Sequence, residues 1–238
     1  MSKTFLYITA AASVVGLAGP ASALVIDAFE DYQFTEDTAG DDATSASELD
    51  GISVLGGSRD VVSVNGGANV LSGTQSTVDN ANSGYFSVSN ASTTSGTGTL
   101  TYDGDDNDAT GVDAYGLGGL DLTDGMVDNV FAFDIIAADL PFDYTLTVWD
   151  EDSSDSYMGV IPGGTFGGSE MIAFSSFTGI DFSNVGALQL SFAGTQASDL
   201  SIDNFRTAGD TPAVPLPASL PLLLAGLGGV AAVARRKK

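Results

Sequence analysis

"FDYTLTVWD", residues 142–150, alternates with a period of two. Phe142, Tyr144, Leu146 and Val148 fall on one face, and Asp143, Thr145 and Thr147 on the other, the pattern of a strand with one buried and one solvated side. "ALQLSF" (187–192) repeats it through Leu188, Leu190 and Phe192. Similar short runs recur at 24–29, 85–89, 98–102, 129–136, 156–161 and 170–174. "DVVSVNGGANVLSG" (60–73) reads as two strands around Asn65-Gly66, a pair that tolerates the positive φ of a tight hairpin. Between the two ends of the chain no helical period competes, and Gly, Asn, Asp and Ser punctuate the runs. About ten short strands so spaced predict an all-β fold, a two-sheet jelly-roll-like sandwich. Strands of both sheets should bury Phe131, Phe133, Phe142 and Phe192 between them. The Gly/Asp-rich stretch 103–125 reads as a loop bulging from the sandwich edge.

Composition restricts the chemistry. All 31 acids lie in residues 24–213 with two bases, Arg59 and Arg206, a formal charge of −29 for that segment. Such a surface repels phosphate backbones, so nucleic acid is excluded as a partner, and it repels anionic lipid headgroups equally. A high charge can signal disorder, but 43% hydrophobic residues, with Phe frequent, indicate a folded domain with an acidic exterior. Divalent cations are its natural partners. Histidine and cysteine are absent, which removes Ser-His-Asp triads, thiol nucleophiles, disulfides and the usual zinc sites. Residues 24–236 hold no lysine, so Schiff-base and Walker chemistry are also excluded, and "IPGGTFGG" and "GLGG" are loops. No residue is assigned to catalysis.

The two ends carry addresses. Lys3, the apolar run "FLYITAAASVVGLAG" and the small-residue site Ala21-Ser22-Ala23 have the three parts of a secretory signal peptide, cut after Ala23 by signal peptidase. Residues 24–207 then form the acidic β-sandwich domain and 208–213 a linker. From Leu216 to Ala234 the chain has no charge and six leucines, and as a helix it would measure about 28 Å, near the hydrocarbon thickness of a bilayer. Arg235, Arg236, Lys237 and Lys238 follow it and would stop transfer, leaving the acidic domain outside the inner membrane. Val214, Pro215, Leu216, Pro217 and Ala218, then the Leu/Ala/Gly-rich span, then the basic cluster resemble the PEP-CTERM group of sorting signals in its VPLPA variant. That resemblance covers 214–238. It implies recognition near Val214–Ala218 by an exosortase or archaeosortase-type protease of exopolysaccharide-making bacteria, removal of the transmembrane helix, and delivery to the cell surface or matrix.

Two acidic groups are candidate calcium sites. "YDGDDNDATG" (102–111) alternates Asp103, Asp105 and Asn107, and a tight loop of this kind can present several of the six to eight oxygens calcium takes. It is not an EF-hand, because the positions that need glycine and glutamate are Asp108 and Ala114. The opening "IDAFEDY" and closing "LSIDNFR" are similar to the first and last strands of exported jelly rolls, carbohydrate-binding modules among them. That resemblance implies neighbouring first and last strands and a structural calcium held by Asp27, Glu30, Asp31 and Asp203. In "WDEDSSDSY", Trp149 and Tyr157 flank a cluster of acids, the composition of either a sugar site or a polar hairpin turn. The sequence therefore predicts an exported, non-enzymatic surface or matrix protein. A calcium-dependent carbohydrate-binding module is the alternative, and a glycan hydrolase or lyase the third reading.

Overall fold

The computed structural model describes residues 23–38, 44–66, 73–79 and 81–209. The signal peptide up to Ser22, the segment 67–72 and the sorting tail 214–238 lie outside them. Fourteen strands and two single-turn 3₁₀ segments make up the described chain. In order they are β1 (Val25–Asp27), β2 (Gln33–Asp37), β3 (Thr44–Asp50), a 3₁₀ turn (Leu55–Gly57), β4 (Ser58–Asn65), β5 (Thr74–Val78), β6 (Phe86–Asn90), β7 (Gly96–Tyr102), β8 (Val130–Ala138) and β9 (Phe142–Asp150). There follow β10 (Ser154–Ile161), β11 (Thr165–Phe166), β12 (Ser169–Ala173), a second 3₁₀ turn (Phe174–Ser176), β13 (Val185–Gly194) and β14 (Asp199–Ala208).

These strands form two antiparallel sheets packed face to face. Sheet A runs β11-β8-β14-β6-β5-β2, with β1 also on β14 and β12 on β8. Sheet B runs β10-β9-β13-β7-β4-β3. The first and last strands are neighbours, Val25 opposite Arg206 and Asp27 opposite Phe205, as the jelly-roll reading requires. The chain crosses from sheet B to sheet A between β4 and β5 and back again between β6 and β7, so the sandwich is stitched by crossovers as well as by hairpins such as β5–β6.

Alternation explains the core. Phe142, Tyr144, Leu146 and Val148 of β9 are buried against the opposite sheet, and so are Phe131 and Phe133 of β8 and Phe192 of β13. Phe133 meets Tyr144 and Phe192 edge-on at 5.5 and 5.7 Å between ring centres. Each such side chain contributes about 1.5–3 kcal/mol through burial. The part of the interior near β2 and β5 is different, being built of hydroxyls. Thr35 and Ser63 oxygens lie 2.8 Å apart, Ser63 donates to Ser76 at 2.9 Å, and Thr74 donates to Asn90 at 2.8 Å. Two expectations are corrected. Asn65-Gly66 does not close a hairpin, because both edges of β4 are taken by β3 and β7 and the Gly66 N–H donates to the Ser95 carbonyl. The 103–125 stretch does not bulge freely; it lies against sheet B, with Leu122 buried and Leu120 bridged to Val185.

The two sheets are tied by one cationic side chain. Arg59 on β4 is fully buried. Its Nη1 donates to Asp27 Oδ2 at 2.8 Å, its Nη2 to the Asp31 carbonyl at 2.6 Å and its Nε to Gln33 Oε1 at 2.9 Å. The Tyr102 hydroxyl donates to the same Asp27 oxygen at 2.9 Å, and the Phe29 N–H to the other at 2.7 Å. Removing the guanidinium leaves a buried carboxylate without its counter-charge, which costs about 3–5 kcal/mol. Arg59→Leu should therefore lower unfolding stability by that amount in urea titrations, and a loss below about 1 kcal/mol would contradict the assignment.

Candidate functional site

The outer face of sheet B carries side chains in rows set by register. One row runs Glu48, Asp60, Thr101, Gln189, Thr147, Ser156 across all six strands. The next runs Ala46, Val62, Thr99, Ser191, Thr145, Met158. Their hydroxyls bond one another: Thr99 with Ser191 at 2.9 Å and Thr147 with Ser156 at 2.9 Å, while Gln189 donates to Thr101 at 3.1 Å. Trp149 lies on this same face between Ser154 and Ala187. Beside it Tyr115, Gly118, Gly119, Glu151, Asn184 and Gly186 line a pocket of about 190 Å³. The Tyr115 hydroxyl donates to the Glu151 carbonyl at 3.1 Å, and Asn184 to the Glu151 carboxylate at 3.2 Å.

At the opposite end the loop after β7 folds back over the face. The Asp106 and Asn107 N–H groups both donate to Glu48 Oε1 at 3.2 Å. Gly116 packs so closely on Asp103 that any side chain there would collide with the Asp103 carbonyl. The loop thereby seals Asp60 and Asp103, each 1% exposed, although both point away from the hydrophobic core. The Asp113 N–H donates to Asp103 Oδ2 at 2.8 Å. Among the described residues no donor reaches either oxygen of Asp60. Burial, then the charges of Asp103, Glu48 and Asp106, push the Asp60 carboxyl up to about 8. Burial likewise raises Asp103 to about 6. At the mouth of this centre, carboxylate oxygens of Glu48, Asp50 and Asp105 lie within 4.8 Å of one another.

The sequence-predicted residues divide accordingly. Asp103 and Asp105 do join an acidic centre, and Asn107 stands beside it in a left-handed conformation (φ 62°), donating its amide to Asp105 at 3.2 Å. Asp106 of the same acidic loop also belongs to the centre, as do Glu48, Asp50 and Asp60, which the sequence could not single out because only strand pairing brings β3 and β4 to the loop. The second predicted calcium group does not assemble. Asp27 is engaged by Arg59, Tyr102 and Phe29, and Asp31 contributes its carbonyl to Arg59. Asp203 pairs across to Asp134 on the outer face of sheet A, where burial and Asp134 raise its pKa, and Glu30 is exposed. Tyr157 turns inward to Tyr144 and Phe177, so it is not on the face that Trp149 occupies. Asp150 is a turn residue, accepting from Asp152, Ser153 and Asp181 N–H groups. Ala23 opens the described chain, whereas Ala21 and the sorting residues lie outside it.

Fold and surface define an acidic, two-sheet antiparallel β-sandwich in which the outer face of sheet B is elaborated by the loop after β7. Residues 213–238 match the PEP-CTERM protein-sorting motif. The chain therefore carries a sorting signal of the exosortase type and is an exported protein whose C-terminus passes through a transient membrane-anchored stage. No helix among the described residues is long and apolar enough to cross a membrane. The comparison with curated proteins finds no match. Among solved structures the chain is similar to a family 11 carbohydrate-binding module from Clostridium thermocellum in complex with a beta-1,3-1,4-mixed-linked tetrasaccharide. Identity is 14% and the TM-score 0.38, over 80% of this chain and 98% of that one. A family 29 module variant complexed with mannohexaose matches at 11% identity and TM-score 0.35, over 75% and 94%. An agarase matches at 12% and 0.41, over 70% of this chain and 25% of that one.

The acidic centre makes stability depend on pH in a defined direction. Asp60 has an ordinary value of 3.8 when unfolded and about 8 when folded, so between these the native state holds the extra proton. Its contribution is fully present below 3.8 and is lost as pH rises through about 8. A chain without histidine or cysteine has few other groups titrating at the upper end of that window. In EDTA-treated buffer the urea midpoint should fall between about pH 6 and about pH 9, and Asp60→Asn should flatten that slope. An unchanged midpoint in the wild type would refute the raised value.

Proposed function

We propose that the protein is a non-enzymatic module of the cell surface or extracellular matrix that meets exopolysaccharide through the outer face of sheet B. The observation that carries this reading is the hydroxyl lattice of that face, ending in Trp149. Ordered Thr, Ser and Gln groups both donate and accept, matching the hydroxyls of a saccharide chain. The indole offers an apolar surface to the C–H side of a sugar ring, and the adjoining Tyr115–Glu151–Asn184 pocket adds polar groups to fix its orientation. The signal peptide and transmembrane tail deliver this domain across the inner membrane. Processing then releases it, and its charge of −29 keeps it soluble and off anionic lipid.

Affinity electrophoresis of the domain in gels containing soluble β-glucan, mannan or agarose polymers tests the binding face. Retardation is expected with at least one polymer, and Trp149→Ala should weaken it roughly tenfold, about 1.4 kcal/mol. Mobility unaltered by all three, or retardation indifferent to Trp149, would count against the reading. Delivery is tested separately. Leu223→Arg puts a charge mid-span at a cost of about 2.5–3.5 kcal/mol, so the protein should lose its membrane-anchored stage and its surface fraction in cell fractionation. Normal surface delivery of that variant would contradict the route.

A further inference from the structure

We propose that Glu48, Asp50 and Asp105 hold a divalent cation of the calcium type at the loop that follows β7, with the buried carboxyls of Asp60 and Asp103 beside Glu48 adding the negative charge that draws it in. This does not rest on the glycan-facing reading. Three observations converge on it. The first is Asp60, 1% exposed, whose two oxygens have no donor among the described residues. Other outward acids here satisfy themselves locally: Asp121 accepts from Thr123, Asp108 from Thr110, and Asp181 from Ser183. The charged groups around Asp60 are all acidic, Glu48 across the pairing with β3 and Asp103 and Asp106 from the loop after β7. When protonated it can donate to Asp103. A buried carboxylate in such company needs either that proton or a cation.

The second observation is that no basic side chain of the sandwich is available. Arg59 is ion-paired with Asp27 at 2.8 Å in the interior, and Arg206 with Asp134 at 3.0 Å on the outer face of sheet A. Residues 24–213 contain no further lysine, arginine or histidine. Compensating charge must come from solution.

The third is spacing. Oxygens of Glu48, Asp50 and Asp105 within 4.8 Å of one another match the separation of ligands bound around one ion at about 2.3–2.6 Å. All donors are hard oxygens, and backbone N–H groups of Asp106, Asn107 and Asp113 orient two of the carboxylates. That donor set favours calcium over thiolate- or imidazole-seeking metals.

Isothermal titration with CaCl2 on the EDTA-stripped full chain in detergent tests the inference. The expected result is one saturable site per chain, at least tenfold weaker in Asp60→Asn and in Glu48→Gln, and unchanged in Glu30→Gln. Calcium should also raise the melting temperature of the wild type and of Glu30→Gln, and not that of the two centre variants. Should Asp60→Asn fail to fold, Asp105→Asn in the exposed loop replaces it with the same tenfold loss expected. Absence of a saturable site in the wild type would overturn the assignment. So would equal binding by wild type and all centre variants, which would mean a diffuse counterion cloud.

Discussion

Within residues 24–213 the fold turns on how two guanidinium groups are shared among 31 carboxylates. Arg59 is sunk between the sheets, where it binds the Asp27 carboxylate, the Asp31 carbonyl and the Gln33 amide oxygen at once. Asp27 in turn accepts from Tyr102 and from the Phe29 N–H, so β1, β2, β4 and β7 are joined through one fully bonded charge. A buried ion pair of this kind is maintained by its hydrogen bonds, because Coulomb attraction alone does not offset the desolvation of both ions. The pair also specifies which strands meet, since only one register places Asp27 against Arg59 across the sandwich.

Engaging Arg59 in the interior has a consequence on the opposite face of β4. Side chains on a strand alternate, so the residue after Arg59 points away from the core. That residue is Asp60, which joins Glu48 and Asp103 where no base can follow. The loop after β7 then closes over the row and removes water from it. Burial and like charge act in the same direction there, and together they push the carboxyl of Asp60 up to about 8. The interior cation and the acidic centre are thus two results of one allocation of charge.

The two ends of sheet B's outer face differ for a physical reason. Near β3 and β4 it is acidic and roofed by the loop, while from β7 to β10 it is open and lined by hydroxyls that bond across strands. Threonine suits both demands, being β-branched and polar, so it favours the strand and still presents a donor and acceptor to solvent. An exported protein without cysteine has no disulfide to brace such a sheet. Packing of Phe133, Tyr144 and Phe192 between the layers supplies the rigidity instead. The sorting signal at residues 213–238 gives the chain its transient membrane-anchored C-terminus.

Much of this was legible in the residues alone. Alternation in 142–150 and 187–192 identified strands β9 and β13 and their buried faces, because a period of two is a local property of the chain. The sorting signal was readable for the same reason, as motif, span and basic cluster are contiguous. Strands β2 and β5 were missed, since "QFTED" and "TQSTV" bury hydroxyls whose partners are distant in the chain, Ser63 of the opposite sheet for Thr35 and Ser76, and Asn90 of β6 for Thr74. Composition determined that the domain is anionic and has no thiol or imidazole to offer. Tertiary structure decided which acids act together: it engaged Asp27 with Arg59, parted it from Asp203, and gathered Glu48, Asp60 and Asp103 from two strands and the loop after β7. Carboxylates are alike along a chain, and only the pairing of distant strands sets which of them lose water and which meet a counter-charge.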